Sequence, residues 1–150
     1  MNHNVKLLAN MLKEKGIRYE EVEVPSRKNA EALIVTLGGK NMSKIQCQCV
    51  FKNDNTTIGG DIFLSITVPD MVTVPSRNLF AMAVLLNYLN CSYPFVKFSL
   101  DAADYTVEAE YETETSTAFG QHCQPLCDAI MTVASICDDA FPQIMQTAQE

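Results

Sequence analysis

The chain has 150 residues, 47% of them hydrophobic and 19% charged, with a net charge of -7 and an isoelectric point near 4.8. That length suits one domain spanning residues 1–150 around a single core, and the balance of residues excludes wholesale disorder. The acidic surplus, unrelieved by any run of Lys or Arg, works against nucleic acid as the main partner.

No apolar stretch approaches the length of a membrane span, so no membrane partner is expected. Residues 1–16, MNHNVKLLANMLKEKG, lack the apolar core and small-residue cleavage site of a secretory signal, which predicts a cytoplasmic protein. Cys47, Cys49, Cys91, Cys127 and Cys137 sit among apolar neighbours in the sequence. There a free thiol acts as a small hydrophobe, so reduced, structural cysteines are expected.

In chain order, Val5, Leu8 and Leu12 recur at helical spacing and predict a helix from Asn4 to Lys15. Asn4 can serve as its N-cap and Gly16 as its left-handed stop. In the stretch IRYEEVEVP, Ile17 and Tyr19 alternate but Val22 and Val24 fall out of phase. The segment is read as a strand with a bulge near Glu20 and Glu21, or as irregular chain.

Alternation then marks three strands. Leu33, Val35 and Leu37 share one face, as do Ile45, Cys47, Cys49 and Phe51, and then Ile62, Leu64, Ile66 and Val68. Phe63 lies opposite the last set. Short turn-forming connections make an antiparallel meander the natural pairing.

VPSRNLFAMAVLLNYLN is the second helix, with Ser76 as its expected N-cap. Apolar residues cover nearly its whole circumference, which predicts burial on more than one side: between sheet and helix, or at a subunit interface. Two further strands follow, PFVKFSL and DYTVEAEYE, joined by a DAAD turn. In the second, Tyr105, Val107, Ala109 and Tyr111 face one way and Glu108, Glu110 and Glu112 the other. A last helical region carries a stripe of Cys123, Cys127, Ile130, Ala134, Cys137, Phe141 and Ile144. Pro125 suits its first turn, and Pro142 predicts a kink or break. The carbonyl of Asp138, deprived of its helical donor by Pro142, needs water or a neighbouring side chain.

The order α-β-β-β-α-β-β-α indicates an α+β fold, with an antiparallel sheet of about five strands and helices packed mainly on one face. That order, with LNYLN before FVKFSLD and CDDAFPQIM near the end, resembles the YbjN domain family, allied in fold to the type III secretion chaperones. The resemblance covers roughly Ala30 to Gln146. It rests on a strand triplet ending in a VP turn, an apolar helix with Asn87 and Asn90, an acidic hairpin, and a helix with Asp138, Asp139, Phe141 and Pro142. It implies a small α+β domain that acts by binding protein, often as a dimer. The cysteine-rich last helix and QHCQP depart from common members.

Few residues offer chemistry. Glu108, Glu110 and Glu112 would stand about 7 Å apart along one strand face. Three evenly spaced, solvated carboxylates lack the asymmetry that acid–base work needs, so they read as a wet face, with partner binding (together with Phe63) as the best functional use. His122, Cys123 and Cys127 form the one cluster with metal-ligand character. A fourth ligand would have to come from Cys91, Cys137 or His3, and adjacent His122 and Cys123 diverge on a helix. Packed thiols and a surface imidazole are the simpler reading. The paired glycines, Gly38–Gly39 and Gly59–Gly60, read as turns. Asn90 is expected to cap its helix and Asn87 to bond nearby backbone.

The residues therefore predict a non-enzymatic protein-binding domain, chaperone-like or regulatory, probing protein partners including a second copy of itself. No cofactor and no metal are expected. The competing expectation is a metal-dependent or thiol enzyme centred on His122, Cys123 and Cys127.

Overall fold

A computed structural model describes residues 3–23, 30–53, 62–115 and 124–150. The elements run α1 (His3–Glu14), β1 (Arg18–Glu23), β2 (Ala30–Leu37), β3 (Ile45–Asn53), β4 (Ile62–Thr73), a 3-10 turn (Ser76–Asn78), α2 (Leu79–Ser92), β5 (Lys97–Leu100), β6 (Thr106–Thr115) and α3 (Gln124–Gln149). Six strands form one sheet in the order β1-β2-β3-β4-β6-β5, every neighbouring pair antiparallel. The α+β architecture matches expectation, with one strand more than the predicted five.

The extra strand is β1. Its pairing with β2 runs unbroken from Arg18–Thr36 to Glu23–Glu31, so the bulge expected near Glu20 and Glu21 is absent. Tyr19 packs toward the core, while Val22 stands on the other face and is 37% exposed. The out-of-phase valine is a surface residue, and the ladder tolerates it because β1 is an edge strand.

Period-two alternation sorts the two faces elsewhere. Leu33 and Val35 of β2, Cys47, Cys49 and Phe51 of β3, Ile66 and Val68 of β4, Phe98 of β5, and Val107 and Ala109 of β6 are buried. All three helices pack on that side. From α1 come Val5, Leu8 and Leu12, from α2 Met82, Leu86 and Leu89, and from α3 Ile130, Val133, Cys137 and Ile144. Gly16 ends α1 at φ 69°. The Ile17 N–H reaches back to the Leu12 carbonyl at 2.9 Å, a bond that the left-handed glycine makes possible.

Some expectations need correction. Ser76 lies inside the 3-10 turn and does not cap α2; Asn78 holds the N-cap position with no side-chain cap bond. Its amide is turned elsewhere, donating to the carbonyls of Ala148 at 3.0 Å and Glu150 at 2.7 Å, and so pins the end of α3. Tyr105 is no part of β6: at φ 59° it closes the Asp101–Asp104 turn and is 42% exposed. The Asp104 carboxylate there accepts from the Thr106 hydroxyl and N–H, which holds its pKa below the usual carboxylate value. Finally, α3 continues through Pro142 without a break. Asn4 lies inside α1, which begins at His3, and so is not its N-cap; the Gly59–Gly60 turn lies outside the described residues.

The reason α3 survives its proline is in the β2–β3 connection. Asn41 Nδ2 donates to the Asp138 carbonyl at 2.9 Å, replacing the donor that Pro142 lacks. The carboxylate of Asp138 in turn accepts the backbone N–H groups of Lys40 at 3.0 Å, Asn41 at 2.9 Å and Met42 at 2.8 Å. Bonding to Met42 foremost, then to Asn41 and Lys40, lowers the pKa of Asp138 against the opposing effect of its desolvation. Gly39 makes the approach possible: a Cβ there would lie 2.2 Å from Asp138 Oδ1.

Asp138→Ala and Gly39→Ala should each lower the melting temperature, and the double variant should lose little more than the worse single, because both remove one clamp. The clamp needs an ionised carboxylate with a lowered folded pKa. Its contribution is therefore complete above the ordinary carboxylate range and disappears as pH falls through the lowered value. Urea melts from pH 7 to pH 3 should show a smaller acid-induced loss for Asp138→Asn than for the parent.

Candidate functional site

With the helices gathered on one side, the other face of the sheet carries none of them. Across it runs one row of directly paired residues: Glu20, Ile34, Gln48, Thr67, Glu110 and Lys97. A second row joins Val22, Ala32, Val50, Ser65 and Glu112. The face is thus apolar toward β1–β3 and acidic along β6. Glu108 and Glu110 are half-buried and Glu112 is exposed. Lys97 lies across the ladder from Glu110, and Ser99 Oγ donates to Glu108 Oε1 at 3.4 Å. Phe63 occupies β4 opposite Lys52 and Glu114, and its side chain lies outside the described set.

The second surface is the outward side of α2. That helix, LFAMAVLLNYLNCS, contains no charged residue. It packs against β5 and against α3, the sheet-and-helix alternative its composition offered, and still leaves one side uncovered within the protomer. On that side Phe80 is 83% exposed, Val84 56% and Tyr88 61%. At about 100° per residue these three, with the exposed Asn87 and Cys91, fall within one narrow arc. Asn87 makes no side-chain hydrogen bond to a described residue, so it does not hold backbone as expected. Asn90 does hold backbone, though it does not cap α2 as expected, Tyr93 occupying the C-cap position: its Oδ1 accepts the Phe98 N–H at 2.6 Å and its Nδ2 donates to the Phe98 carbonyl at 3.0 Å. It binds the free edge of β5 and fixes α2 against the sheet. Tyr93, just after α2, donates its hydroxyl to Asp139 of α3, and that bond foremost raises the phenol's pKa.

The cysteines separate by environment. Cys47, Cys49, Cys127 and Cys137 are reduced and buried, whereas Cys91 is exposed, contrary to its apolar sequence context. Burial pushes the thiols of Cys47 and Cys137 up to about 12. It raises Cys49 as well, assisted by Cys47 and Cys127. A thiol held protonated in the core is neither a nucleophile nor a ligand. His122 and Cys123 lie outside the described residues, and His3 is described only as backbone. Among the described residues no three His, Cys, Asp or Glu side chains converge on a possible metal position. No described helix is long and apolar enough to cross a membrane.

Neither a protein-family model nor a curated protein matches this sequence. A solved structure does match its shape: "Crystal structure of YbjN, a putative transcription regulator from E. coli". The match covers 93% of this chain and 92% of that one, with a TM-score of 0.50 and 15% identity. The chain has a YbjN-like fold. A likeness at that identity concerns the path of the backbone alone.

Sequence reasoning located the acidic strand and the apolar helix but not the outward arc of α2, because a helix apolar all round does not declare which side is covered. Replacing Asn90 with Ala should destabilise the fold by about 1–3 kcal/mol, through loss of two bonds to a half-buried strand edge, measured by urea unfolding. Alkylation at pH 8 followed by peptide mapping should modify Cys91 rapidly and leave Cys47, Cys49, Cys127 and Cys137 protected until denaturant is added.

Proposed function

We propose that this chain is a non-enzymatic protein-binding domain of the YbjN family, chaperone-like or regulatory in type and cytoplasmic, that works as a homodimer. The observation that carries this reading is the outward arc of α2: Phe80, Val84 and Tyr88 are exposed on a helix with no charge of its own. Such a surface gains by covering, and an uncharged one can meet its own copy although each chain carries a charge of -7. The helix-free sheet face, with Glu108, Glu110, Glu112 and Phe63, is then left to receive a protein partner, a basic one by its charge. The description of the E. coli neighbour favours a regulatory role. The burial of Cys127 weighs against thiol or metal chemistry centred on it, and nucleic acid and membrane are not assigned as partners.

Light scattering after size exclusion at micromolar concentration should give twice the 16.6 kDa chain mass. Val84→Glu should give the chain mass itself while changing the stability of the protomer by no more than about 0.5 kcal/mol, as befits an exposed site. A parent protein that runs as a monomer throughout this range ends the dimer reading. Affinity capture against the open sheet face, with Glu108, Glu110 and Glu112 changed together to Gln as control, identifies the partner.

A further inference from the structure

The ladder between β3 and β4 ends early. Gln48–Thr67 is its last pair, although β3 begins at Ile45 and β4 continues to Thr73. Continued in the same register, Pro69 would face Gln46 and Asp70 would face Ile45. Pro69 has no N–H to give, and Asp70 adopts φ 53°, which turns the strand off that line. Pairing with β6 resumes only at Val72–Val107, so Pro69, Asp70 and Met71 together span a single β6 residue, Glu108. The sheet divides here. Residues 45–47 pair with β2 but have no ladder partner on the β4 side, and a cavity of about 410 Å³, lined there by Gln46, Pro69, Asp70 and Met71, adjoins them. That volume falls within the range of small-ligand sites.

Lys44, just before β3, and Asp70, within β4, both line it, together with Ser43, Gln46, Gln48 and Phe141 of α3. An open strand edge offers alternating N–H and C=O groups, which another peptide main chain matches. The left-handed backbone of Asp70 is a standing cost, of the kind that persists where a position is used. We propose that this cavity binds a short zwitterionic peptide of two or three residues. Its main chain lies along residues 45–47, its carboxylate meets Lys44 and its ammonium meets Asp70. At about 3.3 Å per residue, such a peptide matches the unpaired edge. The site goes beyond the α2 and sheet-face reading and does not depend on it.

The test is a titration of the full chain with trialanine, followed by amide chemical shifts. Saturable shifts are expected at residues 44–48 and 69–72. Blocking either terminus of the peptide, or Lys44→Gln or Asp70→Asn in the protein, should weaken binding about tenfold or more. Asn accepts a left-handed backbone, so Asp70→Asn keeps the turn, and Lys44→Gln is a second, independent probe. The proposal is overturned if no saturable shift occurs there by about 10 mM peptide, if the shifts fall on another surface, or if the doubly blocked peptide binds as well as the free one. None of these results alters the oligomeric state, which is measured separately.

Discussion

Packing of α3 against the middle of the sheet is the constraint from which the remainder follows. Its buried stripe, Cys127, Ile130, Ala134, Cys137 and Ile144, lies over β3, β4 and β6. It also touches both other helices, α1 beside β1 and β2 and α2 beside β5. Three polar ties end on the same helix: the β2–β3 connection on Asp138, Tyr93 on Asp139, and Asn78 on the last carbonyls. The apolar stripe supplies the driving force, and the ties fix the rotation and register of the helix, because hydrogen bonds are directional where burial is not. Loop, second helix and C-terminal end are thereby located relative to one element.

A one-sided sheet has a functional corollary. Once every described helix is on one face, no described helix covers the other, and its composition records the compromise. Ile34, Val50 and Val22 remain beside glutamates and glutamines instead of being replaced by charge. The same division appears on α2, whose inner residues anchor the core while the outer ones meet solvent. Several polar and thiol side chains are taken up by the fold itself: four thiols by burial, Asp138 by three amides, Asn90 by a strand edge, while the Cys91 thiol stays exposed. What remains free to act is surface.

Much of this was legible in the sequence where signals were local. The strands announced themselves by period-two alternation, and Gly16, Pro125 and the DAAD turn marked boundaries because their backbone preferences act within a few residues. The acidic row of β6 was read correctly as one face, although not the partners that β5 brings to it. What the sequence hid was distant or ambiguous. Nothing local links Asn41 to Asp138 across 97 positions, or Asn78 to Ala148 across 70. Ser76 was as good a cap by type as Asn78 and lost to the geometry of a 3-10 turn. Val22 broke the alternation of β1 because an edge strand can leave a valine in water. The division of the sheet at Pro69 and Asp70 was likewise obscured, since VPD reads as the end of a strand when it is a bend within one.

The proline inside α3 ties two remote parts of the chain into one inheritable unit. A helix that gives up a donor at position 142 requires an amide at 41, an acceptor at 138 and no side chain at 39. Each is of little use without the others. Among descendants of a common ancestor these four positions should drift as a block: lineages that restore a donor at 142 are released from asparagine and glycine in the connection, and lineages that keep the proline are not.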